Sequence, residues 1–428
     1  MKRLLPLVLL VSAGAVHAQS IPQRPNPPAQ ICVNATCVTT PSVSGAAPGQ
    51  RSLAAIKWNP GHYMASDSIM YTSATLASVQ AEMDDINGYD NIVGYRVFIT
   101  WGALEPSQGN YDFSLLDAIL NRLQTHYNKP KHLVVVVLPG PFGSRMHSGD
   151  ASVIPQYLQS NSAYGPSPVA GSYGWWGRNS GGASTGSYAA ALYRPAVMDR
   201  YIALVQALGA HYDNEPYFEG LMFQEDAWMV DLWTGAPDYS DTTFVNQLQR
   251  LLTAATIAFP HTSVIMENTW TANSSNTQNL ELWMVNNRIA PGTADTVGQT
   301  AFNMGYASNG LNWGLQAYMG LTQNGSSYRG GDLRPRARAM LDIEPQDIAG
   351  DAYANYGAPE GYQPSDIINA LNLTYQASHA FWTHFFGSED VFGGGTVSSV
   401  ASWAIWKNLA PVIDAKPLTN TSYPANYP

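Results

Sequence analysis

The sequence predicts an α/β fold, namely a (β/α)₈ barrel with a long loop insertion after the third strand. From Arg51 onward, short apolar segments rich in β-branched residues alternate with amphipathic helical segments, which is typical of a parallel α/β architecture. Eight strands are predicted, each followed by a helix or a long loop, as the barrel requires. An open doubly wound sheet is the alternative. No Gly-x-Gly-x-x-Gly follows the first strand, which removes the commonest functional version of that sheet.

The predicted elements follow from apolar runs and from helical periodicity. The eight strands are 52–58, 92–101, 132–138, 219–225, 262–268, 297–305, 336–344 and 379–386. The helices are Ser114–Thr125, Pro195–Tyr212, Phe244–Phe259, Leu280–Arg288, Gln363–Ser378 and Val397–Ile413. About fifty residues rich in Gly, Ser, Tyr and Trp separate the third strand from the second of these helices. In a barrel this insertion lies on the carboxyl face, beside any active site.

The first fifty residues predict two further segments ahead of the barrel, which we assign to 51–428. Residues 1–18 have the features of a cleaved signal peptide: Lys2 and Arg3, a short apolar run, and Val-His-Ala before Gln19. Residues 19–50 are rich in Pro, Ala, Ser and Gln and predict an extended arm. We therefore expect a protein that is exported, secreted or periplasmic, with no segment long enough to insert into a membrane.

The two cysteines, Cys32 and Cys37, lie close together within the predicted arm. After export, a local disulfide closing a small loop is the favoured state. Two thiols alone make a poor zinc site, although a metal pair is the alternative.

Composition narrows the classes of function. Of the 428 residues, 45% are hydrophobic and 12% charged, which suits a large buried core and not a disordered chain. The formal net charge is −10 and there is no basic run, so nucleic acid and anionic membrane surfaces are not expected partners.

In such a barrel, functional side chains lie where the strands end. An acidic residue that ends an apolar strand is costly to hold there unless it is paired or has a chemical role. The polar and aromatic residues at or near these ends are His62, Arg96, Trp101, Gln224, Glu225, Asp226, Glu267, Asn268, Asn303, Tyr306, Asp342, Glu344, Trp382 and His384.

One stretch, "RVFITWGALEPSQGNYDFSLLDAIL", carries a specific motif of about 25 residues. Its parts are Arg96, Trp101, Glu105-Pro106, Gly109, Tyr111-Asp112-Phe113 and Leu116-Asp117. The motif resembles the second-repeat signature of clan-A retaining glycoside hydrolases of the family-5 and family-42 type. Its residues on their own predict a turn followed by the capped start of a helix, with Ser114 or Asp112 placed to cap. Glu105 is therefore expected to be scaffold rather than catalyst.

The resemblance implies an acid/base at the end of the fourth strand and a nucleophile at the end of the seventh. Carried onto this sequence, these residues are Glu225 and Glu344. Retaining hydrolysis needs two carboxyls about 5–5.5 Å apart, one protonated and one ionised. Arg96 is expected to keep Glu344 ionised, while apolar surroundings raise the pKa of Glu225.

Other assignments of the catalytic pair stay open at this point. Glu267 ends the fifth strand, and Asp226 or Asp342 takes part if a strand register shifts by one residue. A carboxyl separation of about 6.5–9.5 Å predicts an inverting enzyme instead. A metal-dependent hydrolase needs a His-x-His after the first strand, and only His62 is present there, so no metal or cofactor is expected.

Candidate sugar-binding residues surround the carboxylates. The polar ones are Arg96, His62, Gln224, Glu267, Asn303, Tyr306 and His384. The aromatic ones, suited to stacking on sugar rings, are Trp228, Trp233, Trp270, Trp313 and Trp382. Several aromatics together favour an extended cleft and an endo-acting enzyme on a polysaccharide or oligosaccharide.

A second class of function is kept beside the hydrolase. Gln224 stands where the resembled family has an Asn that holds the sugar 2-hydroxyl, and this departure favours a non-catalytic carbohydrate-binding barrel of the cell surface or matrix. A non-sugar enzyme on the same scaffold is the third hypothesis, because a fold does not dictate its function.

Overall fold

A computed structural model gives the fold. It describes residues 30–33, 36–39, 55–59, 61–140, 151–178, 187–223, 227–267, 276, 279–280, 283–284, 286–293, 322–323, 326–327, 340–343 and 382–386.

Among these residues, fifteen strands and seven α-helices have described bounds, and residues 276, 279–280, 283–284 and 286 are helical as well. The strands are β1 (Gln30–Val33), β2 (Thr36–Thr39), β3 (His62–Met70), β4 (Ile92–Thr100), β5 (Asn110–Tyr111), β6 (His132–Leu138), β7 (Trp175–Arg178), β8 (Ser187–Ala190), β9 (Phe218–Phe223), β10 (Ser263–Glu267), β11 (Ala290–Thr293), β12 (Thr322–Gln323), β13 (Ser326–Ser327), β14 (Met340–Ile343) and β15 (Trp382–Phe386). The helices are α1 (Ala77–Asp84), α2 (Trp101–Leu104), α3 (Ser114–Thr125), α4 (Gln156–Gln159), α5 (Pro195–Tyr212), α6 (Ala227–Trp233) and α7 (Asp241–Ala258). None of the described helices is both long and apolar enough to cross a membrane.

Eight of the strands pair in parallel around a closed ring, in the order β3-β4-β6-β9-β10-β11-β14-β15, with β15 returning to β3. The prediction of a parallel α/β architecture is therefore confirmed. Helices follow β3, β4, β6 and β9. The helices predicted at 363–378 and 397–413 lie outside the described residues.

Two predicted strands differ from those observed. Described residues 55–58 are not a strand, and the first ring strand is β3, which begins at His62. The sixth ring strand is β11, at 290–293, whereas 297–305 lies outside the described residues. Both observed strands have a smaller share of apolar residues than the predicted segments, which explains why the pattern missed them.

The strand β6 illustrates how the sequence builds two cores. Val134, Val136 and Leu138 point into the ring, where they pack with apolar side chains of neighbouring strands. Val135 and Val137 alternate with them and pack outward against the helices. Because both faces are buried, the strand is a continuous apolar run rather than an alternating one.

The segment predicted as the first strand instead lies at the amino ends of the ring strands. Lys57 donates from Nζ to the backbone carbonyls of Asp213, Glu215 and Phe218, the Glu215 contact being 2.7 Å. Burial lowers the pKa of Lys57. This lysine therefore ties the chain ahead of the ring to the turn between α5 and β9.

A buried carboxylate completes this end of the ring. Glu219 accepts from the backbone N–H of Asn59 at 3.0 Å and contacts Nδ1 of His132 at 3.1 Å. Tyr63 donates its hydroxyl to the Asn59 carbonyl at 2.8 Å. Since Glu219 and Tyr63 have no exposed surface, these bonds satisfy polar groups that are costly to bury alone.

The arm folds onto the second repeat. β1 and β2 form an antiparallel hairpin, and β1 also pairs in parallel with β5. Cys32 and Cys37 occupy directly opposed positions in the hairpin register. Opposed residues of an antiparallel pair have Cα atoms about 4.5–5.5 Å apart, which is within the range that a disulfide spans. The disulfide stays a prediction, since only the backbone of these strands is described.

Candidate active site

The proposed catalytic carboxylates follow the fourth and seventh strands of the ring. β9 ends at Phe223, two residues before Glu225, and β14 ends at Ile343, one residue before Glu344. In the ring, β10 and β11 separate these two strands on one side. Both glutamates lie outside the described residues, so their assignment and their separation stay predictions.

Of the predicted site residues, Arg96 is the one whose side chain is described inside the ring. It lies at the middle of β4, and 1% of its surface is exposed. Its guanidinium packs over the Phe98 ring, 4.8 Å from the centroid, and one nitrogen is 3.7 Å from the Met222 sulfur. A buried cation between apolar neighbours favours an anionic partner nearby.

The motif residue Glu105 lies in a buried network and has no exposed surface. Its Oε2 accepts from Trp101 Nε1 at 2.8 Å, and its Oε1 accepts from the Gly109 N–H at 2.8 Å. Arg200 of α5 forms an ion pair with the same Oε1 and also donates to the Tyr157 hydroxyl at 3.2 Å. These contacts support the expectation that Glu105 is scaffold rather than catalyst, and the role itself stays a prediction.

The local fold explains the remaining residues of the motif. Thr100 ends β4 and caps α2, accepting from the Ala103 N–H at 3.3 Å. Asp112 accepts from the backbone N–H of Ser114 at 3.0 Å and from its hydroxyl at 2.6 Å, just ahead of α3. The N-cap position of α3 is Phe113, which makes no side-chain cap, so neither Asp112 nor Ser114 is the N-cap of this helix. Gly109 has φ of 74°, a left-handed conformation that the turn requires and that glycine adopts without strain.

Part of the predicted insertion packs closely against this edge of the ring. A Cβ built on Gly102 of α2 would lie 1.9 Å from the Ser152 carbonyl oxygen, so the two backbones are in direct contact. Tyr157 of α4 joins the Glu105 network through Arg200. Burial, with Glu105 as the next cause, raises the pKa of Tyr157, which stays neutral.

On its other side, the same segment packs against α6. β7 and β8 form an antiparallel hairpin in which Trp175 is buried and donates from Nε1 to the Ser172 hydroxyl at 2.6 Å. Trp176 is half-buried and lies beside Gly235, two residues beyond α6, and both strands of the hairpin contact α6 itself. The hairpin therefore contacts the helix that follows Glu225.

Two predicted binding residues are corrected by their positions. Trp233 is completely buried in an aromatic cluster, so it belongs to the core and is not a sugar platform. His62 begins β3, at the amino end of the ring, whereas the candidate site is at the carboxyl end. Its side chain is buried, and burial lowers the pKa of His62 to about 3, so it is neutral. We do not retain either residue in the site.

The other predicted residues are described less fully. Trp228, Glu267, Trp382 and His384 lie in α6, β10 and β15, where only the backbone is described. Gln224, Asp226, Trp270, Asn303, Tyr306 and Trp313 lie outside the described residues, and Asp342 has a described backbone in β14.

Sequence analysis missed one ion-pair cluster near the site. Arg194 and Tyr193 both bond to Asp238, which lies just beyond α6. No pattern in the sequence links them, because 44 residues separate Arg194 from Asp238. Within the described part of the chain, no group of three or more His, Cys, Asp or Glu side chains is arranged to hold a metal ion.

No protein-family model matches the chain, and no curated protein matches it. Among solved structures, the chain is similar to a GH5_18 from Streptomyces cattleya in complex with GlcNAc, with 14% identity, a TM-score of 0.48, and coverage of 86% of this chain and 83% of that chain. It is also similar to a GH5_18 from Bifidobacterium longum subsp. infantis (13% identity, TM-score 0.47, 85% and 80% covered). A β-galactosidase from Bacillus circulans sp. alkalophilus matches at 9% identity and a TM-score of 0.47, with 83% and 56% covered. At these values the likeness carries no conclusion about the activity of this chain.

Proposed function

We propose that the chain is a secreted glycoside hydrolase that cleaves bonds within a polysaccharide chain and retains the configuration of the anomeric carbon. The observation that carries the proposal is the position of two glutamates. Glu225 comes two residues after the end of β9 and Glu344 one residue after the end of β14, the fourth and seventh strands of the parallel ring. Carboxyl ends of barrel strands are where catalytic residues of this architecture come from.

The proposal includes the complete architecture and chain organisation predicted from the sequence. Residues 1–18 are a signal peptide, 19–50 an arm with a Cys32–Cys37 disulfide, and 51–428 a single (β/α)₈ barrel. The segment between β6 and α5 is its long insertion. The opposed register of the two cysteines and the ring order support this organisation.

In the proposed mechanism, Glu225 protonates the glycosidic oxygen while Glu344 attacks the anomeric carbon. The bond to the leaving sugar breaks as the bond to Glu344 forms. Glu225 then takes a proton from water, whose oxygen displaces Glu344 from the anomeric carbon. Arg96, buried within the ring beside Phe98 and Met222, supplies positive charge that favours an ionised carboxylate at the carboxyl end.

Sugar contacts in this proposal come from Gln224, Trp228, Glu267, Trp270, Asn303, Tyr306 and Trp382, with His384 and Trp313 as further candidates. Trp228, in the first turn of α6, follows Glu225 by three residues and is the aromatic candidate nearest to it along the chain. Its stacking on an adjacent sugar ring fits an extended cleft and an endo-acting enzyme.

The test is release of reducing ends from a broad panel of polysaccharides, including bacterial exopolysaccharides, by the mature protein. Glu225→Gln and Glu344→Gln are expected to lower turnover at least about 10²-fold, since each removes one group that the chemistry needs. Asp226→Asn and Asp342→Asn are the matched controls, because they neutralise the carboxylates that lie beside Glu225 and Glu344 in sequence and that the proposal does not use. A large loss in a control with none in the corresponding glutamate variant would reassign the pair.

Two further measurements separate the mechanisms and the alternative function. Azide added to Glu344→Gly should yield a glycosyl azide if Glu344 is the nucleophile. Proton NMR of the first product formed distinguishes a retained from an inverted anomer. Glycan binding without any bond cleavage contradicts the hydrolase and favours the carbohydrate-binding barrel, for which Gln224 in place of Asn is the supporting observation.

A further inference from the structure

The proposed acid/base lies in a very short connection. Only residues 224–226 separate the end of β9 at Phe223 from the start of α6 at Ala227, and Glu225 is the middle one. β9 is paired on one side with β6 and on the other with β10, so its position is fixed by two ladders. Contacts that fix the position of α6 therefore fix Ala227, the residue at which this connection ends.

α6 is held at its carboxyl end by an aromatic cluster. Trp233, its last residue, has no exposed surface and packs against three rings. The centroid distances are 4.9 Å to Phe244 at the start of α7, 5.6 Å to Tyr193 ahead of α5, and 6.4 Å to Tyr239. Three segments of the chain thus meet on one helix end.

A charged cluster, which we call the Asp238 clamp, surrounds this aromatic contact. It consists of Tyr193, Arg194 and Asp238. Arg194 donates from Nε to Oδ2 of Asp238 at 2.7 Å and from Nη2 to Oδ1 at 3.0 Å, and the Tyr193 hydroxyl donates to Oδ1 at 3.1 Å. This is the two-pronged geometry in which arginine binds a carboxylate most strongly.

The clamp is better buried on the arginine side than a typical surface pair. The Arg194 side chain is 8% exposed and that of Asp238 is 46% exposed. Arg194 also donates to the carbonyl of Tyr164 within the insertion at 3.3 Å, and it lies above the Tyr193 ring. Although burial opposes it, hydrogen bonding to Arg194 lowers the pKa of Asp238, so the carboxylate is ionised at neutral pH.

The turn between α6 and the clamp is short and hydrogen-bonded. The Thr234 N–H donates to the Val230 carbonyl at 2.9 Å, and the Ala236 N–H donates to the Trp233 carbonyl at 2.8 Å. A displacement of Asp238 is therefore transmitted to the helix rather than absorbed by a loose loop.

We propose that Asp238, held by Tyr193 and Arg194, is a positioning residue that fixes α6 and, through it, the segment that contains Glu225. The clamp joins the end of the insertion to the repeat that carries the proposed acid/base. This inference rests on the proposed function only for the identity of the group that is positioned.

The test compares wild type with Asp238→Asn, which keeps the side-chain shape but removes the charge. The control is Asp199→Asn, which breaks the exposed pair of Asp199 with Arg250 between α5 and α7. Arg194→Lys is the second clamp variant, because lysine keeps the charge but loses the bidentate geometry. Amide hydrogen exchange of peptides spanning 224–233 is measured in all four proteins, and kcat and KM are measured on the polysaccharide that the panel identifies.

We expect faster exchange in 224–233 for both clamp variants and no change for Asp199→Asn. We also expect kcat to fall about tenfold, while KM stays within about twofold of the wild-type value. A 1 Å displacement of a catalytic group costs roughly a hundredfold in rate, and we expect a smaller displacement here. Unchanged exchange overturns the inference whether or not the protein is a hydrolase. Faster exchange with unchanged kcat overturns it as well. If wild type cleaves nothing, the proposed function fails and exchange alone still decides whether the clamp holds this segment.

Discussion

Replacing Glu105 by Gln tests whether this carboxylate is structural. In the wild type, one oxygen accepts from the indole N–H of Trp101, and the other accepts from Arg200 and the backbone N–H of Gly109. A glutamine amide has one acceptor end and one donor end. In either orientation its NH₂ group meets a donor, so at least one buried N–H loses its partner.

The expected loss of stability combines two costs, that of an unpaired buried donor and that of a broken ion pair. A buried donor left without a partner costs about 1–3 kcal/mol. Removing one member of a buried ion pair costs about 3–5 kcal/mol, which we reduce because the Arg200 side chain is 19% exposed. Since these losses overlap, we expect Glu105→Gln to lower the free energy of unfolding by about 3 kcal/mol.

The assay is urea unfolding followed by circular dichroism, with Asp199→Asn as the control. That substitution also removes a carboxylate from an arginine pair, but its side chains are 46% and 55% exposed, so we expect a loss of about 0–1 kcal/mol. Equal stability of the two variants would refute the argument. A Glu105→Gln protein as stable as wild type, yet without hydrolytic activity, would place Glu105 in the chemistry instead.

Two further predictions test packing and pH dependence. Gly102→Ala should lower the free energy of unfolding by about 1–3 kcal/mol, because the new Cβ would lie 1.9 Å from the Ser152 carbonyl oxygen. Gly235→Ala is the control, since the nearest atom to its Cβ is 3.7 Å away. The thermal midpoint should fall for the first variant and change little for the second. Since burial lowers the pKa of His62 to about 3, the unfolded chain binds a proton near pH 6.5 that the folded chain does not, and stability falls as pH drops from 6.5 toward 3. His62→Gln should reduce this slope of unfolding free energy by about 1.4 kcal/mol per pH unit, and an unchanged slope would show that His62 is protonated in the folded protein.

The elements that were predicted well are those whose own residues determine them. α3 and α5 have the predicted bounds. Asp112 accepts from the backbone N–H of Ser114, the first residue of α3, and Pro195 begins α5 with a favourable backbone angle. β6 also has its predicted bounds, because a strand buried on both faces is a continuous apolar run with clear ends.

The elements that were missed depend on distant partners. β3 contains Ser66, a polar residue that breaks the apolar pattern, yet Ser66 is buried because it donates to Glu82 of α1 at 2.7 Å. The turn-and-helix pattern of the motif predicts that Glu105 is scaffold, but nothing local reveals Arg200 as its partner 95 residues away. Likewise the Asp238 clamp joins residues that lie on either side of β9 and α6, 44 residues apart in the case of Arg194 and Asp238.

The pairing of the first and last strands of the ring has a consequence for how the chain folds. β15 pairs with β3, so that Thr383 lies opposite His62, and nearly all of the ring sequence lies between them. In each of the other seven pairs of neighbouring strands, the two strands are much closer to each other in sequence. Because closing a longer loop costs more entropy and such contacts form slowly, the first and last strands should meet late in folding. Until they do, β3 has an open edge, and a chain that is still being synthesised exposes that edge before its last strand emerges.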